Sequence, residues 1–201
     1  DYYASRGLGD VYKRQLLDCL EENNAKATFF MVGTEIASFP DEVKRMKKLG
    51  CELGNHTYDH KDLATLSSDE ISSEIARVDE QLVNLTGEGA SVVRPPYGSV
   101  NDTVKSTVGT PMILWSIDTL DWKTQDVEST VEEVMNNVKD GSIILMHDIH
   151  ETTVESCATI VPELMNRGYE LVTVHTLAAA NGVDLAAGET YYGFHGGTTN
   201  E

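Results

Sequence analysis

The sequence predicts an α/β fold built on a parallel sheet, and three observations carry that prediction. Short β-rich apolar runs alternate with amphipathic helical stretches along most of the chain. Of the 201 residues, 40% are hydrophobic and 24% charged, enough to bury one sizeable core. Histidines, an arginine and aspartates recur just after the apolar runs, where α/β folds assemble their sites. Strands separated by helices give βαβ units, either doubly wound or closed as a barrel.

The elements follow in order. Gln15 to Leu20 has helical spacing, and Lys26 to Val32 reads as a buried strand. Asp41 to Leu49 is amphipathic and stops at Gly50; Cys51 to Asn55 is the next short strand. Ser67-Ser68-Asp69-Glu70 is a helix start, and the helix runs through Ile71, Ile75, Val78, Leu82 and Leu85 to Gly87. Strands are predicted at Ser91–Arg94, Met112–Ile117, Ser142–Met146 and Tyr169–Val174. The intervening helices are Ser129–Lys139 and Val154–Asn166. Residues 181–201 are Gly/Thr-rich and aperiodic, which predicts a loosely docked end. Residues 1–14 break the pattern: a strand is due there, yet no apolar run is present.

Composition narrows the function classes. Fifteen Lys+Arg against 33 Asp+Glu give a net charge of −18, which argues against nucleic acid and anionic membrane surfaces as partners. Uninterrupted apolar runs such as Ile143–Met146 reach only four residues, too short to cross a bilayer, and no secretory signal is visible. Cys19, Cys51 and Cys157 lack any C-x-x-C spacing and read as buried thiols.

Taken singly, the polar motifs have plain structural explanations. His56-Thr57-Tyr58-Asp59-His60 places two imidazoles four apart, suited to one divalent cation, but Thr57 stands where an H-E-x-x-H protease needs its glutamate. Arg94-Pro95-Pro96-Tyr97-Gly98 is a stiff turn whose Tyr97 N–H can point at a ligand oxygen. Asp118-Thr119-Leu120-Asp121-Trp122 offers two carboxylates and an indole, although acids at helix starts are common caps. His147 ends an apolar strand. His175 and His195 read as structural. Four such residues (His56, Arg94, Asp118 and His147) at the C-terminal ends of strands are better explained by one site than by coincidence.

Together these stretches, with Ala27–Gly33, Trp115–Ile117 and Ile144–Met146, resemble the polysaccharide deacetylase family, carbohydrate esterase family four, which shares the NodB-homology domain. The match runs from about Gln15 to Leu177 in the family's order and spacing. The resemblance implies a distorted (β/α) barrel and metal-dependent removal of N-acetyl groups from N-acetylglucosamine polymers such as peptidoglycan or chitin. It assigns His56 and His60 to a divalent metal, Zn²⁺ first with Co, Mn or Ni as alternatives. The Tyr97 N–H goes to the oxyanion, Arg94 to orienting the base, and His147, held as an imidazolium by Asp118, to protonating the leaving amine. Leu145, Trp122 and Pro96 would contact substrate. An O-acetyl xylan esterase and a non-catalytic glycan-binding relative are the alternatives. Family substrates place the native protein outside the cell or at its envelope.

One family feature is missing. The first strand normally ends T-F-D-D-G and supplies the base and the third metal ligand. No acidic doublet precedes Gln15, and neither Asp1 nor Asp10 follows a strand. The expected organisation is therefore a foreign or misassembled segment at 1–14, a catalytic domain at 15–180 lacking its first strand, and a tail at 181–201, with activity impaired.

Overall fold

Helix and strand alternate as predicted, and most boundaries have a local cause. The computed structural model describes residues 6–195. Helix α1 (Arg6–Glu22) takes in the expected helix and extends it upstream, so residues 6–14 are helical and form no strand. Strand β1 (Thr28–Met31), the short α2 (Gly33–Ile36) and α3 (Pro40–Lys48) follow. Pro40 opens α3, where its missing N–H costs nothing, and Gly50 reverses the chain at φ +78°. After β2 (Glu52–Asn55), α4 (Ser68–Thr86) begins at the predicted helix start, in a reciprocal cap: Ser67 and Glu70 each accept the other's backbone N–H. It ends at Gly87 in the left-handed conformation. Then come α5 (Asp102–Thr107), β3 (Met112–Ile113), β4 (Ile117–Asp118), α6 (Asp121–Thr124), α7 (Val127–Asn137) and β5 (Ile144–Leu145). The chain finishes with α8 (Glu151–Asn166), α9 (Val174–Ala180) and β6 (Thr190–Tyr191).

Among the described residues the three strand ladders are parallel, and one isolated bridge, Ser142 to Gly193, is antiparallel. β1 aligns with β2 from Thr28–Glu52 to Met31–Asn55, Val93 bridges both Asn55 and Met112, and β3 pairs with β6. β4 pairs with β5. The predicted single strand Met112–Ile117 is split because the chain changes partner within it. The Leu114 N–H goes to the Tyr191 carbonyl, whereas the Ser116 and Ile117 N–H groups turn to that of Ile143. The predicted strand Ser91–Arg94 shrinks to the Val93 bridges. Tyr169–Thr173 is extended without a ladder; Leu171 accepts the Lys26 N–H, and Thr173 caps α9. Among the described residues, β1, β4, β5 and β6 each pair with a strand on one side only, so the ladder is open in several places, in keeping with a distorted barrel.

The core forms where α1, α3, α4 and α8 pack on β1 and β2, with Leu17, Val43, Val78 and Leu82 fully buried. The residues after 180 differ from expectation. Tyr191 and Phe194 are 7% and 3% exposed, stack at 5.8 Å between ring centroids, and join the core formed by Val92, Ile113 and Ile143. The sequence masks this docking because two aromatics among glycines and threonines carry no period. Residues 1–5 and 196–201 lie outside the described residues.

Phe194→Ala is expected to destabilise the fold by roughly 3–5 kcal/mol, the usual range for truncating a buried aromatic. Urea unfolding of the two proteins measures it, and a change below about 1 kcal/mol would show that the segment is merely laid on the surface.

Candidate active site

The site assembles at the C-terminal ends of the parallel strands, where loops leaving β2, Val93, β4 and β5 converge. Several of these loops hold unusual backbone. Thr57, His60, Tyr97 and Leu120 have φ of 66°, 59°, 61° and 54°, a conformation that non-glycine residues adopt only when their surroundings enforce it.

The enforcing contacts are visible around His56 and His60. Asn55 is fully buried; its side-chain oxygen accepts the Thr57 N–H, and its amide donates to the Ile75 carbonyl and to Asp79 on α4. Glu74, also on α4 and buried, accepts the Tyr58 and Asp59 N–H groups and pairs with Lys61. This frame sets the two imidazoles edge to face at 4.8 Å between centroids. The His56 Nδ1 lies 2.5 Å from the Arg94 carbonyl, which accepts its proton and leaves Nε2 as the ligating atom. Burial pushes the pKa of His56 down to about 3, and burial also lowers His60, with the His147 charge adding to both. Both rings are therefore neutral near pH 7, the state a metal requires.

The donor set stops there. Catalytic zinc usually has three protein ligands, and among the described residues no third His, Cys, Asp or Glu joins the pair. As described, these residues do not complete a catalytic metal site.

Tyr97 follows Pro96 in a single 3₁₀ turn; its ring packs edge to face on His60 at 5.0 Å. Among the described residues its N–H has no acceptor, so it remains available to an oxyanion. Pro96 and Leu145 are buried beneath the site, while Tyr97 and Trp122 are 71% and 50% exposed at its rim.

The expected role of Asp118 requires correction. Its Oδ1 accepts the Leu120 N–H in a local turn, and among the described residues no hydrogen bond joins it to His147. The left-handed Leu120 then reverses the chain and brings the fully buried Asp121 inward. The Asp121 Oδ1 accepts a hydrogen bond from the His147 Nδ1–H at 2.8 Å, and its other oxygen accepts from the His147 backbone N–H and the Thr153 hydroxyl, each at 2.7 Å. Burial raises the Asp121 pKa, but these hydrogen bonds and the His147 charge outweigh it, so the net shift is downward. Sequence reasoning had both acids of the motif but no means of knowing which one the turn would bury.

Because the folded value is depressed, Asp121 stabilises the fold above the unfolded value of 3.8, and that stability is lost as pH falls through the folded value. Asp121→Asn is expected to be less stable than the parent at pH 6, with the gap closing as the solution is acidified below 3.8. Thermal midpoints of the two proteins across pH 2–7 measure this, and a gap independent of pH would place the effect in packing rather than charge.

The comparisons agree with this architecture. The polysaccharide deacetylase profile matches residues 7–110. The peptidoglycan-N-acetylglucosamine deacetylase PgdA of Listeria monocytogenes is 38% identical over 177 residues, 88% of this chain and 37% of the relative, so the chain spans well under half of that protein. A family 4 acetyl xylan esterase from Clostridium thermocellum, solved with a cobalt ion, superposes with a TM-score of 0.87 at 31% identity, covering 92% of this chain and 93% of the other. A CE4 family pseudoenzyme from Bacillus anthracis superposes with a TM-score of 0.77 at 30% identity, covering 84% and 61%.

Proposed function

For a chain that belongs to the polysaccharide deacetylase family, we propose the hydrolysis of N-acetyl groups on N-acetylglucosamine polymers of the peptidoglycan or chitin class, impaired here by the lack of an acidic first strand. The observation that carries the reading is the His147–Asp121 pair facing the two neutral imidazoles of His56 and His60. An amide leaves poorly as an amide anion, so its nitrogen must receive a proton as the C–N bond breaks. The Asp121 carboxylate fixes the His147 ring with Nδ1 protonated and stabilises the imidazolium, leaving Nε2–H as the donor. The Tyr97 N–H suits the oxygen on which negative charge develops. Its ring and the Trp122 indole offer exposed aromatic faces for sugar rings. His56 and His60 would supply two of the ligands of a divalent ion, zinc by preference. No described residue supplies the third ligand or the base, and we assign neither to Asp1 or Asp10; in the sequence, residues 1–14 occupy the place of that strand. The native protein would act on the cell envelope or outside the cell.

The esterase neighbour supports a second reading, O-acetyl ester cleavage, since the same groups would serve a less demanding leaving group. The pseudoenzyme neighbour supports a third, glycan binding without turnover.

Acetate release from chitooligosaccharides, peptidoglycan and acetylated xylan tests the reading, with this chain assayed beside a version carrying a grafted T-F-D-D-G strand. The graft is expected to release acetate from the N-acetylated polymers and the parent to lag by about 10²–10⁴-fold, the contribution of a general base. In the grafted version, His147→Ala is expected to abolish turnover while zinc titration stays unchanged, and Asp121→Asn to lose far more activity than Asp118→Asn. Turnover of acetylated xylan alone would establish the esterase reading, and a grafted chain inert on all three would establish the binder.

A further inference from the structure

Arg94 is a buried cation with no anionic partner. It is 8% exposed, and its Nε and Nη2 donate to the carbonyls of Ile113 at 3.0 Å and Leu114 at 3.1 Å. The Phe30 and Trp115 rings cover it at 4.1 and 5.8 Å. All four partners are neutral. No carboxylate touches the guanidinium among the described residues, and burial pushes its pKa down to about 9, which leaves it charged at neutral pH.

The nearby acid Asp121 has its oxygens committed to His147 and Thr153. In a chain of net charge −18, a buried guanidinium that no carboxylate touches among the described residues is a local exception to the protein's field. A buried charge left unpaired is costly, so an anion small enough to enter gains the full strength of the pair. The two bonds to carbonyls use the side of the guanidinium that carries Nε, which leaves the N–H groups of the opposite edge, between the two Nη atoms, to face two oxygens at once.

We propose that this chain binds a small monocarboxylate, of the formate or acetate class, on the free edge of the Arg94 guanidinium. The planar two-oxygen fork matches the ligand, whereas chloride presents a single point and sulfate carries a second charge and more bulk. The proposal needs only Arg94 and its neighbours, so it stands or falls apart from the hydrolytic reading.

The test uses the whole chain in EDTA at pH 7, with formate replacing chloride at constant ionic strength. The Nε–Hε resonance of Arg94 and the thermal midpoint are followed together. Formate and acetate are expected to move the resonance saturably; at a hundred times the dissociation constant, the folded-to-unfolded ratio should rise about 100-fold. Arg94→Lys and Arg94→Met should lose the stabilisation. If the variants unfold, the resonance in the parent protein still decides. No formate-dependent movement, or an equal response to sulfate, overturns the proposal. Because no metal or substrate is present, either result leaves the deacetylase assay to be judged separately.

Discussion

The buried carboxylate of Asp121 is the tie on which the site depends. It sits at the start of α6 and reaches both the backbone and the ring of His147 beyond β5, together with the hydroxyl of Thr153 on α8. Three elements distant in sequence are thereby held by one side chain with no exposed surface. Such a group is costly to bury and retains its charge only because every hydrogen bond around it is made. The pairing that orders the ring also sets its tautomer, so packing and proton transfer have a common origin here.

A comparable frame stands behind the opposite wall. α4 contributes Glu74 and the partners of Asn55, and these hold the 56–60 loop in a backbone that Thr57 and His60 would not adopt alone. The helix most clearly marked in the sequence, with its capping box and terminal glycine, is thus the one that shapes the least regular loop. Between the two walls lies Arg94, whose carbonyl orients His56 and whose guanidinium has only neutral partners. Imidazoles held neutral, a carboxylate held ionised and a guanidinium that meets no carboxylate among the described residues stand side by side at this centre.

Much of this was legible beforehand. α3, α4 and α8, together with β1 and β2, fell near their predicted places because each couples a clear hydrophobic period to a cap or a glycine stop. His56, His60, Arg94, Tyr97 and His147 were recognisable because strand ends carrying such residues in that order are rare by chance. The losses share a physical character. Met112–Ile117 reads as one strand because its apolar run is continuous, yet hydrogen-bond partners on different strands divide it. Tyr169–Thr173 has the composition of a strand and makes no ladder. Phe194 is buried by residues far away in sequence, which no local pattern records.

The sequence by itself determined the α/β class, the order of elements, the candidate residues at the strand ends and the lack of an acidic doublet before Gln15, because each is written in periodicity, residue type or spacing. Only the tertiary structure decided which of two aspartates meets His147, since a left-handed turn at Leu120 chooses the buried one. It also decided that residues up to 195 join the core, and that among the described residues no carboxylate meets the Arg94 guanidinium. Those outcomes depend on what the rest of the chain places nearby, and proximity in space is the property a linear sequence does not carry.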